Sequence, residues 1–280
     1  MSDTIPTTAA EERYAAFRER RAEAVTRPQG HLALVNTQWI TGDPGSAQPV
    51  WGVPGLWSPL PAGESGLKVT AAASDGILVD DAIVDGDVIV GGHDAVTPSE
   101  LRFGDTVTGS VIGGERGDYA LRIWDAASEA IQDFGGIDAF PYDPEWVVEA
   151  RFTPIASGGS VDIAHLGDDG RTRSKALPGT IEFSHDGAER SVAAFQDDDS
   201  LLLVFGDATN GDTTYGVGRF LRVVPRADGT VLLDFNRAHI PPCGFSYNFN
   251  CPIPPAQNRF DFRIEAGEKN VLNRRGGLLH

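Results

Sequence analysis

Residues 12–25 are rich in Ala, Arg and Glu, and Tyr14, Phe17 and Val25 recur among them at near-helical spacing. Thr8 and Glu11 read as a capping box ahead of this run, and Pro28-Gln29-Gly30 ends it. One amphipathic N-terminal helix is predicted, the strongest helix signal in the chain. After it the pattern turns extended. Short runs enriched in β-branched, aliphatic and aromatic residues fall at 32–35, 39–40, 67–72, 77–79, 88–90, 106–112 and 119–124. The same grammar returns at 146–152, 160–164, 180–183, 190–195, 201–205, 215–224, 231–235 and 259–265. Between the runs stand Asp75-Gly76, Asp85-Gly86, Gly91-Gly92, Gly113-Gly114, Asp186-Gly187 and Asp228-Gly229, pairs that accept the positive φ of tight hairpins.

Strands at this spacing predict antiparallel sandwiches or barrels. Ala, Gly, Asp and Pro break the pattern over 125–143, and residues 140–146 (Phe-Pro-Tyr-Asp-Pro-Glu-Trp) read as a stiff aromatic connector. The expected fold is therefore all-β, with two antiparallel sandwich- or barrel-like units preceded by the helix. Residues 1–30 would be the helix, 31–135 a first β-rich unit and 136–280 a barrel-like second unit. One continuous β domain reads almost as well. No repeat of 20–50 residues points to a propeller or solenoid.

Charge sharpens the picture. The 280 residues carry a formal charge of −17, and residues 71–145 alone hold 16 acidic against three basic groups, a net of −13. Nucleic acid is a poor partner for such a surface, because neutralising phosphates takes clustered Lys and Arg. A solvated acidic face that keeps the protein in solution accounts for it. Residues 215–280 reverse the sign, with nine basic and five acidic groups. A basic end within an acidic protein suits a small anion. No stretch approaches the ~20 apolar residues of a membrane helix, and residues 1–26 lack the apolar core of a secretory leader, so a cytoplasmic protein is expected.

The candidate chemistry lies between 206 and 268. There Thr-Thr-Tyr215-Gly-Val-Gly-Arg219 leads to Leu-Asp234-Phe-Asn236-Arg237-Ala, Pro-Pro-Cys243, Cys251-Pro-Ile-Pro-Pro, Asn-Arg259 and Ala-Gly-Glu268. In this order the pieces resemble the signature of a large, mostly bacterial family known as domain of unknown function 1684. Weaker similarity extends to the helix, to 32–42 and to 140–152. The sequence departs from the family pattern at His239-Ile240, where Tyr-Asn is usual, and at His31, where an aromatic residue is typical. The resemblance implies a shared fold and no known activity.

Read as a strand, residues 231–237 place Leu233, Phe235 and Arg237 on one face and Asp234 with Asn236 on the other. Asp and Asn are poor strand formers, so their presence needs a reason. The structural reason is that Asp234 pairs with Arg219 and Asn236 ties down the Pro-rich loop. The functional reason is a pocket where Arg219, Arg237 and Arg259 converge on a carboxylate or phosphate, with Tyr215 and Asn236 beside them and Asp234 as a candidate proton-transfer group. Gly216 and Gly218 allow a close approach by ligand or backbone under either reading.

Cys243 and Cys251 are the only cysteines, and the six histidines show no ligand spacing, so neither a metal nor another cofactor is expected. Buried thiols, or a disulfide formed under oxidising conditions, are the default for the pair, and His239 is the base a nucleophilic cysteine would need. No nucleophile elbow or phosphate loop is found. The leading functional expectation is a pocket for a small anionic or polar metabolite in the second unit, in a cofactor-independent enzyme or a binding protein. The alternatives are a noncatalytic interaction module, or a signature that serves folding alone.

Overall fold

The computed structural model describes residues 8–114, 117–168 and 171–279. Residues 1–7, read as part of a polar terminus, and His280 lie outside them. The protein is mostly β, with one N-terminal helix, α1 (Thr8–Thr26), and antiparallel pairing in every sheet. Two compact units emerge: Glu23–Asp133, and Met1–Ala22 with Phe134–His280.

In the unit Glu23–Asp133 the strands are β1 (Leu34–Ile40), β2 (Gln48–Pro49), β3 (Leu56–Pro59), β4 (Leu67–Ala71), β5 (Leu78–Val79), β6 (Ala82–Ile83), β7 (Gly86–Val90), β8 (Leu101–Arg102), β9 (Val107–Gly113) and β10 (Tyr119–Asp125). One sheet runs β1-β10-β9-β8-β5-β6 and the other β2-β3-β4-β7. Trp57, Leu67 and Val69 of the smaller sheet share a core with Ile40, Val111 and Leu121 of the larger. Along β4 these positions alternate with Lys68 and Thr70, as the period of two requires. A short helix, α2 (Glu129–Asp133), closes this unit.

The other unit carries β11 (Phe134–Ala139), β12 (Val147–Ala164), β13 (Thr172–His185), β14 (Ala188–Asp197), β15 (Ser200–Phe205), β16 (Arg219–Val223), β17 (Thr230–Asp234) and β18 (Glu268–Asn273). β11 pairs with β18, and the rest form one sheet in the order β16-β15-β14-β13-β12-β17, curled nearly into a barrel. The barrel interior holds Ile181, Phe183, Val192, Leu203, Phe205, Leu221, Val231, Leu233 and Phe235. The opposite face of β14–β16 is also buried, because Ala193, Phe195, Val204 and Phe220 pack under a loop bearing Cys243 and Cys251. Burial on both faces explains why Leu201-Leu-Leu-Val-Phe205 is continuously apolar.

Hairpins follow the turn chemistry. Asp186 and Gly187, at φ 51° and 75°, join β13 to β14 with His185 opposite Ala188, the backbone of a type I′ turn. Several extended runs end otherwise than the pattern predicts. The run at 215–224 becomes a strand only from Arg219, since Gly218 at φ 122° breaks it. The run at 231–237 stops at Asp234 and tightens into a 3₁₀ turn at Phe235–Arg237. Residues 259–265 form no strand, and β18 begins only at Glu268. The break at 125–143 holds α2 and β11.

Candidate functional site

Arg219 opens β16 and shares the inward face of Leu221 and Val223, so its guanidinium enters the barrel end. Its side chain is 0% exposed, as is that of its partner Asp207, with Nη2 to Oδ2 at 2.7 Å. The same fork donates to the carbonyls of Ile264 (2.8 Å) and Ala266. Only Nε lacks a partner among the described residues. The guanidinium also lies over the Phe205 ring at 5.4 Å. Burial depresses the Arg219 pKa, and the Asp207 carboxylate opposes that. Asp207 Oδ1 meanwhile accepts from the Thr209 amide and hydroxyl and from the Ile264 amide. This is a closed clasp, and it corrects the expected pairing of Arg219 with Asp234.

Gly218 serves the same packing. A Cβ there would stand 2.5 Å from the Phe205 carbonyl and 2.7 Å from Pro254 Cγ, whereas Gly216 meets nothing nearer than 3.7 Å. Asn258, fully buried, exchanges hydrogen bonds with both backbone groups of Ala193 and donates to the Val204 carbonyl, stitching β14 to β15. Asn236 ties down a loop, but it is the 140–146 connector and not the signature's own Pro-rich loop as expected. The Asn236 side chain accepts from the Asp143 amide (2.8 Å) and donates to the Asp143 carbonyl (2.9 Å). Glu268, 2% exposed, takes a two-pronged hydrogen bond from Arg21 of α1 (2.7 and 3.0 Å) and one from the Ile240 amide.

Arg237 and Arg259 do not join Arg219. The 3₁₀ turn points Arg237 back to Asp234, Nε to Oδ2 at 3.3 Å, and over the Phe17 ring at 5.8 Å. Arg259 is exposed, bridging through its backbone to Gly206. Tyr215 turns elsewhere, to the two cysteines. The expected convergence of three arginines is therefore not what the fold builds.

A different cluster forms at the barrel seam. β16 and β17 are successive in the chain and meet at the Arg226–Thr230 turn, yet they stand at opposite ends of the sheet order. A cavity of about 430 Å³ lies there, lined by both strands, by Tyr142 and Val147, and by Ala10, Arg13 and Tyr14 of α1. Its charged lining is Arg13, Arg222, Arg226 and Arg237 against Asp234. Arg222 also meets Asp197 at 2.7 Å. The Tyr14 and Tyr142 rings face each other at 5.9 Å. Tyr14 donates to the Phe140 carbonyl at 2.8 Å, and burial first of all pushes its pKa up, so the phenol stays neutral. Asp197 answers Arg222 from outside the lining, so four cations meet two carboxylates, still a positive excess in so acidic a protein. Arg237 and Asp234 were legible as candidates; Arg13, Arg222 and Arg226 were missed, because only α1 docking on the seam brings them together.

Cys243 and Cys251 are buried and not joined in a disulfide, and the Cys243 amide donates to Cys251 Sγ at 3.2 Å. His239 is held neutral, its pKa lowered to about 3 by burial and by the charges of Arg21 and Arg222. So depressed, it is a weak base for any thiol. Among the described residues no group of three or more His, Cys, Asp or Glu is placed to hold a metal, and no helix is long and apolar enough to cross a membrane.

Comparison with known proteins places these features in a family context. The sequence profile of the family described as "Protein of unknown function (DUF1684)" matches residues 132–269. A solution NMR structure of an uncharacterized protein of Haloarcula marismortui is 35% identical to the chain. It covers 48% of this chain and 76% of that one, with a TM-score of 0.40. No curated protein matches the sequence.

Proposed function

Because the chain belongs to the DUF1684 family, whose description carries no activity, we propose a function from its own side chains: the seam cavity binds a small anionic metabolite. The observation that carries this reading is the excess of Arg13, Arg222, Arg226 and Arg237 over Asp234 and Asp197 around a volume of about 430 Å³. That volume lies within the range of small-molecule sites. Planar guanidinium forks suit carboxylate and phosphate oxygens. The Tyr14 and Tyr142 rings, with Val147 and Leu232, would cover the ligand's apolar body. A carboxylate- or phosphate-bearing organic molecule is the class that fits. If the ligand is converted, Asp234 is the proton-transfer group, held in place by Arg237 and by Asn236 Nδ2 at 3.0 Å.

The signature segment then divides by role. Arg219, Asn258 and Glu268 hold the fold, as the closed hydrogen bonding of each supports, while Asp234 and Arg237 face the cavity. Tyr215 and Arg259 are not ligand contacts in this reading. It keeps the protein a cytoplasmic, cofactor-free binder, and an interaction-module role has no comparable cluster behind it.

The test is a thermal-shift and calorimetric screen against small organic acids and phosphate esters, in parallel on wild type, Arg13→Ala and Arg226→Ala. Both arginines are exposed, so their loss leaves the fold intact. A true ligand loses about 10- to 100-fold in affinity per arginine removed, the equivalent of about 1.5–3 kcal/mol for a charge-assisted hydrogen bond. A ligand bound equally by wild type and both variants would place binding elsewhere and end the proposal.

A further inference from the structure

A second site lies away from the seam, beneath the loop that covers the outer face of β14–β16. Cys243 sits in a 3₁₀ turn at Pro242–Gly244, and Cys251 lies at the start of a Pro-rich stretch. They are 2% and 4% exposed and share one apolar cluster with Phe195, Val204 and Phe220. The loop's far end is fixed, because the Leu166 amide donates to the Cys251 carbonyl (3.1 Å) and the Ile253 amide to the Ala164 carbonyl (2.8 Å). The near end is fixed by the Gly244 amide on the Pro241 carbonyl (2.9 Å). Both thiols are thus held still with their sulfurs in hydrogen-bonding contact, and the Tyr215 hydroxyl also reaches the Cys243 sulfur. A Cβ on Gly244 would stand 2.3 Å from Ile240 Cγ2, so the glycine lets Ile240 pack against this turn, with the Tyr215 ring in ordinary contact at 3.5 Å.

We propose that Cys243, Cys251 and Tyr215 form a peroxide-reactive dithiol site, in which Cys243 is the attacking sulfur and Cys251 the resolving one. Two buried thiols in mutual contact, joined by a phenolic donor, exceed what packing asks, since a buried cysteine otherwise behaves as a small apolar side chain. The donors around each sulfur set the roles, with the Cys243 amide on Cys251 Sγ at 3.2 Å holding the two side by side. Cys243 receives donors from three sides: the Cys251 thiol, the Tyr215 hydroxyl and nearby backbone amides. Those donors favour its thiolate and pull its pKa down against burial. Tyr215 is pushed upward, by burial first and then by the Cys243 charge, and so remains a proton-bearing donor.

The chemistry balances with a hydroperoxide as oxidant. The Cys243 thiolate attacks one peroxide oxygen, an S–O bond forms, the O–O bond breaks, and the departing oxygen takes a proton and leaves as water or alcohol. The Cys251 sulfur then attacks the sulfenic sulfur of Cys243. The S–S bond forms, the S–O bond breaks, and hydroxide leaves as water with the proton from Cys251. With hydrogen peroxide the sum is two thiols and one peroxide giving one disulfide and two waters.

The experiment treats the folded full-length protein with hydrogen peroxide and counts thiols by alkylation after unfolding, with intact mass and peptide mapping alongside. The expected result is loss of both thiols and of two hydrogens in mass, with a crosslinked peptide joining Cys243 to Cys251 and full recovery on adding a dithiol reductant. Cys251→Ser halts at a sulfenic acid captured by a dione probe, Cys243→Ser gives no capture, and Tyr215→Phe slows the first step. Circular dichroism on each variant establishes that it is folded, and the wild-type thiol count stands whether or not a variant folds. The proposal is overturned if both thiols stay alkylatable in the treated folded protein, or if Cys243 passes to irreversible acids with no crosslink.

Discussion

At the scale of single residues, the barrel end shows how an arginine is made tolerable inside an apolar core. Arg219 is surrounded by one carboxylate and the carbonyls of the 264–268 segment, so its charge is answered on the spot. Removing one partner of such a buried pair leaves the other charge uncompensated, which costs about 3–5 kcal/mol. Asp207→Asn should therefore lower unfolding stability by about that amount in urea titrations, with its far-ultraviolet spectrum preserved at low denaturant. Arg219 stood out in the sequence as a charge within an apolar strand, but its partner did not. Consecutive strands usually pair, which favoured Asp234 of the next strand. Instead the strand that pairs with β16 is β15, with Arg219 opposite Phe205, and the residue two beyond Phe205 is Asp207. Asn236 and Arg237 were misplaced for a related reason: nothing in Leu233-Asp-Phe-Asn-Arg237 announces that the strand ends at Asp234, and the turn that follows is set by tertiary contact with Asp143.

Among elements, α1 teaches a similar lesson. Its existence was plain from composition and spacing, whereas its mode of attachment was not. Tyr14 is buried, yet much of the docking is polar: the Tyr14 hydroxyl on Phe140, Arg18 on the Ile137 carbonyl at 2.7 Å, and Arg21 on Glu268. A polar stripe of this kind carries no hydrophobic period, so pattern reading cannot find its partner. Arg21→Ala should cost about 1.5–3 kcal/mol, the range for hydrogen bonds to charged groups. A double-mutant cycle with Glu268→Gln should show coupling between the two sites, measured by chemical denaturation. The hairpins were the most legible elements, because Asp-Gly pairs encode their backbone locally, as at Asp186-Gly187. β11 and β18 were the least legible. Each borrows its register from the other across most of the unit's length, and Gly135, Gly136 and the polar Glu268-Lys-Asn give no strand signature.

For the molecule as a whole, acid is the revealing perturbation. His239 is depressed from 6.5 to about 3 by burial and by Arg21 and Arg222. A group whose protonated form is disfavoured by folding binds more protons when unfolded. Its contribution is thus complete above pH 6.5 and is lost as pH falls from there toward 3. Asp168, drawn down to about 2 chiefly by its hydrogen bond from Arg173, adds a loss from about pH 4 downward. Melting temperature should fall in two stages on acidification, and His239→Gln should flatten the upper stage while leaving the lower. The parted strands β16 and β17 have a consequence of another kind. Exposed strand borders invite pairing with a second chain, and here a polar-anchored helix faces that border. Trimming residues 1–16 should strip this guard, and light scattering should then report growing particles enriched in intermolecular sheet. The N-terminal helix would in that sense be a gatekeeper against self-assembly.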